Sequence, residues 1–126
     1  MEMNVLSMHA LIGAYQPQGY EWVDELNQVL ADNIEYFCDY VDEHFEGVSY
    51  SRPQGTYMVF LDCTEWCREH GRDIQWLLDE GARVGVGYQD GRPFHGPCHI
   101  RVNLALPLSR VREACDRLDR YVFNAR

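Results

Sequence analysis

An unusually long amphipathic segment, residues 20–44, restricts the fold more than any other part of the sequence. Apolar residues recur along it at helical spacing on one side and acidic residues occupy the other side, which predicts one continuous helix. At about 1.5 Å per residue this helix would span roughly 35 Å, which is long for a chain of 126 residues. Helices of this length often connect two bodies of a protein, and we interpret the acidic side as a solvent-facing surface.

The other segments predict short helices and strands around this helix. Residues 3–15 predict a first helix that has little of its own to pack against. Strands are predicted at residues 47–51, 56–62, 83–87 and 99–107, and helices at residues 73–80, ended by Gly81, and from Ser109 onward. Residues 88–97 predict a loop. This order predicts an α+β domain in which a small, mostly antiparallel sheet packs against helices.

The predicted strand at residues 99–107 presents an arginine on the face opposite the core. We interpret it as a strand at the buried edge of the sheet. Its alternation places Ile100, Val102 and Leu104 on one face and His99, Arg101 and Asn103 on the other. A guanidinium held on a rigid strand is well suited to bind a carboxylate through two parallel hydrogen bonds. The alternative is that Arg101 is an ordinary solvent-facing cation, and the strand by itself does not distinguish the two.

The charge and composition disfavour several classes of protein. The net charge of −9 disfavours a nucleic-acid partner, because the phosphates would repel the chain. No apolar run is long enough to cross a membrane and the first residues lack a secretory signal, so we expect a cytoplasmic protein. All eleven residues of the lysine and arginine class are arginine. Without a lysine, this chain cannot perform Schiff-base chemistry that requires an ε-amine.

The cysteine and histidine residues form no recognisable metal or catalytic motif. Cys63, Cys67 and His70 have helical spacing, but a fourth ligand is missing and Cys63 ends a predicted strand, so we interpret the two thiols as core residues. Five cysteines without a Cys-x-x-Cys pair favour reduced thiols. His95, in the predicted loop, is a candidate site-lining residue. These observations alone describe an α+β domain with one well-presented arginine.

Four sequence blocks resemble a known enzyme family. They are Tyr15-x-x-x-Gly19-x-x-Trp22-x-x-Glu25-Leu26, Pro53-Gln54-Gly55-Thr56-Tyr57-x-x-Phe60-x-Asp62, Leu77-Leu78-x-x-Gly81-x-x-Val84 and Ile100-Arg101-Val102-Asn103-x-Ala105-x-Pro107. In order and spacing they resemble the C-terminal part of fold-type I pyridoxal-phosphate enzymes. Within that group they resemble class I/II aminotransferases of the cystathionine β-lyase, or carbon–sulfur lyase, kind. The resemblance covers essentially the whole chain.

The resemblance implies a domain organisation and a role for Arg101. Residues 1–126 would form the C-terminal small domain, with residues 1–19 a remnant of the large domain and residues 20–44 the interdomain helix. The arginine of the Ile-Arg-x-Asn block binds the α-carboxylate of the amino-acid substrate in this family. This implies the same role for Arg101 and makes Asn103 a second candidate site-lining residue. Family members are homodimers, which implies a homodimer for the full-length protein.

The resemblance also implies that the cofactor belongs to another part of the enzyme. The lysine that carries pyridoxal phosphate, and the residues that bind its phosphate and its pyridine nitrogen, lie in the large domain of such enzymes. We therefore expect this chain to contain no catalytic, cofactor-binding or metal-binding residue, to bind no cofactor and to be inactive alone. The alternative is a stand-alone module that binds a small carboxylate or a protein partner without catalysis. Transamination and β-elimination are not distinguished.

Overall fold

The computed structural model describes residues 4–125. Its helices are α1 (Val5–Ala14), α2 (Pro17–His44), α3 (Thr64–His70), α4 (Ile74–Arg83) and α5 (Leu108–Leu118), and its strands are β1 (Ser49–Tyr50), β2 (Met58–Asp62), β3 (Gln89–Asp90) and β4 (His99–Asn103). A 3-10 helix (Arg92–Phe94) precedes β4, and a π-helical turn (Asp119–Phe123) follows α5. The chain forms two compact units, which divide between Asp32 and Asn33 within α2.

The first unit contains α1 and the beginning of α2. Asn4 caps α1, because its Oδ1 atom accepts a hydrogen bond from the backbone N–H of Ser7 at 2.8 Å. α1 has no buried residue, in agreement with the prediction that it has little of its own to pack against. The large apolar side chains exposed in this unit are Val5, Leu6, Met8, Leu11, Ile12, Tyr15, Tyr20, Trp22, Val23 and Val29. α2 begins at Pro17, slightly before the predicted start, and proline suits the first turn of a helix.

The second unit is built on a four-stranded antiparallel sheet in the order β1-β2-β4-β3. β2 and β4 form its longest pair, in a register that runs from Met58 opposite Asn103 to Asp62 opposite His99. The predicted α+β class, with a small antiparallel sheet and helices, is confirmed. β2 lies inside the sheet, as its apolar residues on both faces predicted. β4 is also paired on both sides, so its interpretation as an edge strand was wrong.

The edge strand β3 lies where the sequence predicted a loop, and the prediction of a strand at residues 83–87 was wrong. α4 continues past Gly81, so this glycine does not end the helix as predicted. A Cβ atom at Gly81 would lie 2.5 Å from the ring of Tyr88, whose hydroxyl donates a hydrogen bond to the carbonyl of Leu77. The glycine therefore allows Tyr88 to pack on α4. The chain turns only at Gly85, where φ is +77°.

The core lies between one face of the sheet and the helices. Its members include Val59, Leu61, Ile100 and Val102 from the sheet, Phe37 and Val41 from α2, and Val111, Cys115 and Leu118 from α5. Asn33 is the buried polar residue of the described chain. Its Nδ2 atom donates hydrogen bonds to the carbonyl oxygens of Leu104 at 2.9 Å and Leu106 at 2.7 Å. These bonds hold the chain that follows β4 against α2.

The polar groups of the shorter helices agree with the sequence pattern. Asp73 caps α4, because its Oδ1 atom accepts a hydrogen bond from the backbone N–H three residues later at 2.8 Å. On α5 and the turn that follows it, the predicted pairs form between Glu113 and Arg117 at 2.5 Å and between Asp116 and Arg120 at 3.1 Å.

None of the helices within residues 4–125 combines the length and the apolar character of a membrane span.

Candidate functional site

Arg101 lies at the centre of β4, on the face of the sheet opposite the core, which we call the outer face. In the ladder it stands between Phe60 of β2 and Gln89 of β3. Its chain neighbours Ile100 and Val102 are buried, whereas Arg101 is half-buried. The alternation predicted from the sequence is therefore confirmed, and it directs the guanidinium away from the core.

Arg101 differs from most arginines of the described chain because it has no carboxylate partner there. Ion pairs are formed by Arg52, Arg68, Arg83, Arg92, Arg110, Arg117 and Arg120. Arg72, Arg101 and Arg112 instead stack on aromatic rings, with 4.8, 3.9 and 5.2 Å between the guanidinium carbon and the ring centroid. Within residues 4–125 no carboxylate accepts a hydrogen bond from the donors of Arg101.

The ring beneath Arg101 belongs to Phe94, the last residue of the 3-10 helix. This segment is bonded to β4, since the N–H of Gly91 donates to the carbonyl of His99 at 2.9 Å. Gly96 approaches the outer face so closely that a Cβ atom there would lie 2.6 Å from the His99 side chain. Sequence reasoning missed Phe94. Gly91 and Gly96, which lie on either side of Phe94 in the sequence, are the signal for this close approach.

The other two predicted site residues occupy different surroundings. His95 is exposed and adopts a left-handed conformation, with a φ of 64°. Asn103 is on the same strand as Arg101, but its Oδ1 atom accepts a hydrogen bond from the N–H of Ala105 at 2.8 Å and closes the turn after β4. Within the described residues, no hydrogen bond or aromatic contact joins either of them to Arg101. The structure thus brings Arg101 together with Phe94.

A histidine and an aspartate lie at the other end of the same face. The ring centroid of His99 is 4.6 Å from that of Phe60, and its Nε2 atom is 3.8 Å from Oδ2 of Asp62. Desolvation acts to raise the pKa of Asp62, but hydrogen bonds from the hydroxyl and N–H of Thr64, together with His99, outweigh it and lower the pKa. Asp62 is therefore ionised at neutral pH. Its negative charge disfavours an anion close to the His99 end of the face.

Cys63, Cys67 and His70 do not converge on a metal-binding arrangement. Both thiols are buried in the core, as predicted, and the Nδ1 atom of His70 lies 2.9 Å from the carbonyl oxygen of Trp66. Burial, reinforced by a contact with Cys98, raises the pKa of Cys67 to about 12, so this thiol stays protonated at neutral pH. Among residues 4–125, no three side chains of histidine, cysteine, aspartate or glutamate are placed to hold a metal ion.

Comparison with known proteins identifies the family. The family model for aminotransferase class I and II matches residues 5–118. The chain belongs to the class I and II aminotransferase family. A Mycobacterium leprae protein named "Putative cystathionine beta-lyase" is 35% identical in an alignment of 124 residues. The match covers 86% of this chain and 30% of that protein. Protein MalY of Escherichia coli is 32% identical over 112 residues, which cover 87% of this chain and 28% of that protein.

A solved structure has the same fold as this chain. The PLP-bound C-S lyase from Staphylococcus hominis matches 92% of this chain with a TM-score of 0.80 and 24% sequence identity. These comparisons confirm the resemblance predicted from the sequence, which is to aminotransferases of the cystathionine β-lyase and carbon–sulfur lyase kind. The chain spans about 30% of the length of these relatives.

Proposed function

We propose that this chain is the C-terminal small domain of a pyridoxal-phosphate-dependent aminotransferase or carbon–sulfur β-lyase, and that Arg101 binds the α-carboxylate of its amino-acid substrate. The observation that carries the proposal is the position of the Arg101 guanidinium. It projects from the centre of β4 on the outer face and has no carboxylate partner within residues 4–125. Membership of the class I and II aminotransferase family supports the proposal.

In this proposal Arg101 orients the substrate. Pairing with Phe60 and Gln89 on either side fixes the backbone from which the guanidinium projects. Two parallel N–H···O bonds to the carboxylate set both its position and its plane, and hence the orientation of the adjoining Cα atom. Pyridoxal phosphate, when bound, supplies the electron sink that stabilises negative charge at that carbon. Arg101 contributes charge and geometry and transfers no proton, because a guanidinium stays protonated.

The residues of this chain do not fit covalent attachment of the cofactor. The sequence contains no lysine, so no side-chain amine is present to bond its aldehyde. We therefore assign cofactor binding to a large domain outside this chain, and the 30% coverage of the relatives supports this division. The choice between transamination and β-elimination falls to the groups around the cofactor in that domain.

The proposed large domain also explains the first unit. In this proposal residues 1–19 belong to the large domain and residues 20–44 connect the two domains. The apolar side chains of α1, among them the 82% exposed Leu6, are then covered by the large domain. The proposal extends to a homodimer of the full-length enzyme. It also extends to a cytoplasmic location, for which the free thiols of all five cysteines provide support.

Kinetics of the full-length enzyme test the role of Arg101. We expect Arg101→Lys to raise the KM for the amino acid, with a loss of about 2–4 kcal/mol of transition-state binding, because an ammonium group cannot form the bidentate pair. Arg112→Lys is the matched control, since Arg112 also stacks on a ring and has no ion pair in the described chain. Unchanged kinetics in Arg101→Lys, or equal losses in both variants, would remove Arg101 from the site.

A further inference from the structure

We propose that Phe94 is a positioning residue for Arg101, whose ring supports one face of the guanidinium and leaves the donor edge directed at the substrate carboxylate. The inference rests on the carboxylate-binding role proposed above. The guanidinium carbon of Arg101 lies 3.9 Å from the ring centroid, closer than in the stacked pairs of Arg72 at 4.8 Å and Arg112 at 5.2 Å. At this distance the ring and the planar guanidinium are in van der Waals contact.

The segment that carries Phe94 is firmly bonded, so the ring can act as a support. The N–H of Phe94 donates to the carbonyl of Gly91 at 2.9 Å, and the N–H of Gly91 donates to the carbonyl of His99 at 2.9 Å. At the start of the segment, Asp90 accepts hydrogen bonds from the backbone N–H of Arg92 at 2.9 Å and from its Nε at 2.8 Å. The His99 carbonyl is on β4, so these bonds fix the segment to the strand that carries Arg101.

Core packing does not explain the position of the Phe94 ring. Phe94 is 48% exposed, although the segment around it is bonded to the sheet. A ring beneath the guanidinium restricts the conformations of the long arginine side chain, so less conformational entropy is lost when a carboxylate binds. The ring also keeps water from one face of the guanidinium, which strengthens the hydrogen bonds made at its edge. Both effects act on substrate binding through Arg101.

Substitutions of Phe94 in the full-length enzyme test this role. Loss of a partly exposed cation–π contact predicts a roughly two- to fivefold rise in the KM for the amino acid in Phe94→Ala, with kcat little changed. Phe94→Leu keeps apolar bulk but lacks both the flat ring face that stacks on the guanidinium and the aromatic quadrupole, so it should resemble Phe94→Ala. Phe94→Tyr keeps the ring face and should retain the original KM. An unchanged KM in Phe94→Ala, or an original KM in Phe94→Leu, would overturn the proposal.

The same Phe94 substitution in an Arg101→Gln variant tests the positioning role of Phe94 separately from the proposed function of Arg101. When Arg101→Gln is already present, Phe94→Ala should not raise the KM further, because the group that Phe94 positions is gone. An equal effect of Phe94→Ala in both backgrounds would overturn the positioning role and leave carboxylate binding by Arg101 intact. If Arg101→Gln alone leaves the KM unchanged, the proposed function fails.

Nuclear magnetic resonance spectroscopy of the 126-residue chain detects the contact between Arg101 and Phe94 without a measurement of enzyme activity. Ring stacking should shift the Nε–H resonance of Arg101 upfield, and Phe94→Ala should abolish that shift while the resonances of the stacked Arg72 and Arg112 stay in place. An Arg101 resonance that does not respond to Phe94→Ala would overturn the inference. It would leave the carboxylate-binding proposal to the kinetic test.

Discussion

Removal of the Asn33 amide should destabilise the chain, because two backbone carbonyl groups depend on it. Its Nδ2 atom donates to Leu104 at 2.9 Å and to Leu106 at 2.7 Å, and the residue is only 1% exposed. Each buried carbonyl left without a donor costs roughly 1–3 kcal/mol, with the partly buried Leu106 carbonyl at the lower end. The buried Oδ1 atom of Asn33 has no partner in the described chain, so its removal recovers about 1 kcal/mol. Asn33→Ala should therefore lose about 1–3 kcal/mol of unfolding free energy.

Urea unfolding of the 126-residue chain, followed by circular dichroism, measures this loss. Asn27→Ala is the matched control, because Asn27 is exposed on the same helix and its substitution should change the free energy of unfolding by less than about 0.5 kcal/mol. The free energy of unfolding of a typical domain is only about 5–15 kcal/mol. The urea concentration at the midpoint should therefore be clearly lower for Asn33→Ala than for the control. Equal midpoints for the two variants would refute the role of the two hydrogen bonds.

Asn33→Asp adds a pH dependence whose sign follows from the same geometry. The substitution keeps the shape of the side chain but turns a carboxylate toward two carbonyl oxygens in a buried site, which raises its folded-state pKa. The loss of stability should be smallest below the ordinary carboxyl pKa of about 3.9, increase as the pH rises, and reach its full size above the raised folded-state pKa. A loss that is independent of pH would contradict this reasoning.

Two further predictions concern α4 and the thiols. Gly81→Ala should lower the free energy of unfolding by about 1–3 kcal/mol despite the higher helix propensity of alanine, because the added Cβ meets the Tyr88 ring at 2.5 Å. Urea unfolding measures the change, and a gain in stability would contradict the packing explanation. Among the five thiols, Cys98 should react first with an aromatic disulfide reagent, because the other four are buried. Burial also raises the pKa of Cys115 to about 12, so mass spectrometry that finds Cys115 labelled first would count against this prediction.

Features set by local periodicity could be predicted from the sequence. The apolar spacing in residues 20–44 predicts α2, and the alternation around Arg101 predicts which side chains of β4 enter the core. In both cases each residue's environment is determined by neighbours within a turn of helix or one pleat of strand. The family blocks add the proposed role of Arg101, which periodicity cannot supply.

Features set by contacts between distant segments could not be predicted in this way. β3 has only two residues, Gln89 and Asp90, and two residues carry no detectable alternation. Gly81 suggested a helix end, but its reason is the ring of Tyr88, which returns to α4 after the turn. The contact of Phe94 with Arg101 depends likewise on a loop that folds back over β4, so the sequence indicated only its glycines.

The most direct measurement of carboxylate binding compares an amino-acid substrate with its carboxamide in the full-length enzyme. If Arg101 binds the α-carboxylate, the enzyme should prefer the acid. Arg101→Gln should reduce that preference in kcat/KM by a factor on the order of 30 to 900, the equivalent of about 2–4 kcal/mol. The same preference for the acid before and after the substitution would contradict carboxylate binding by Arg101.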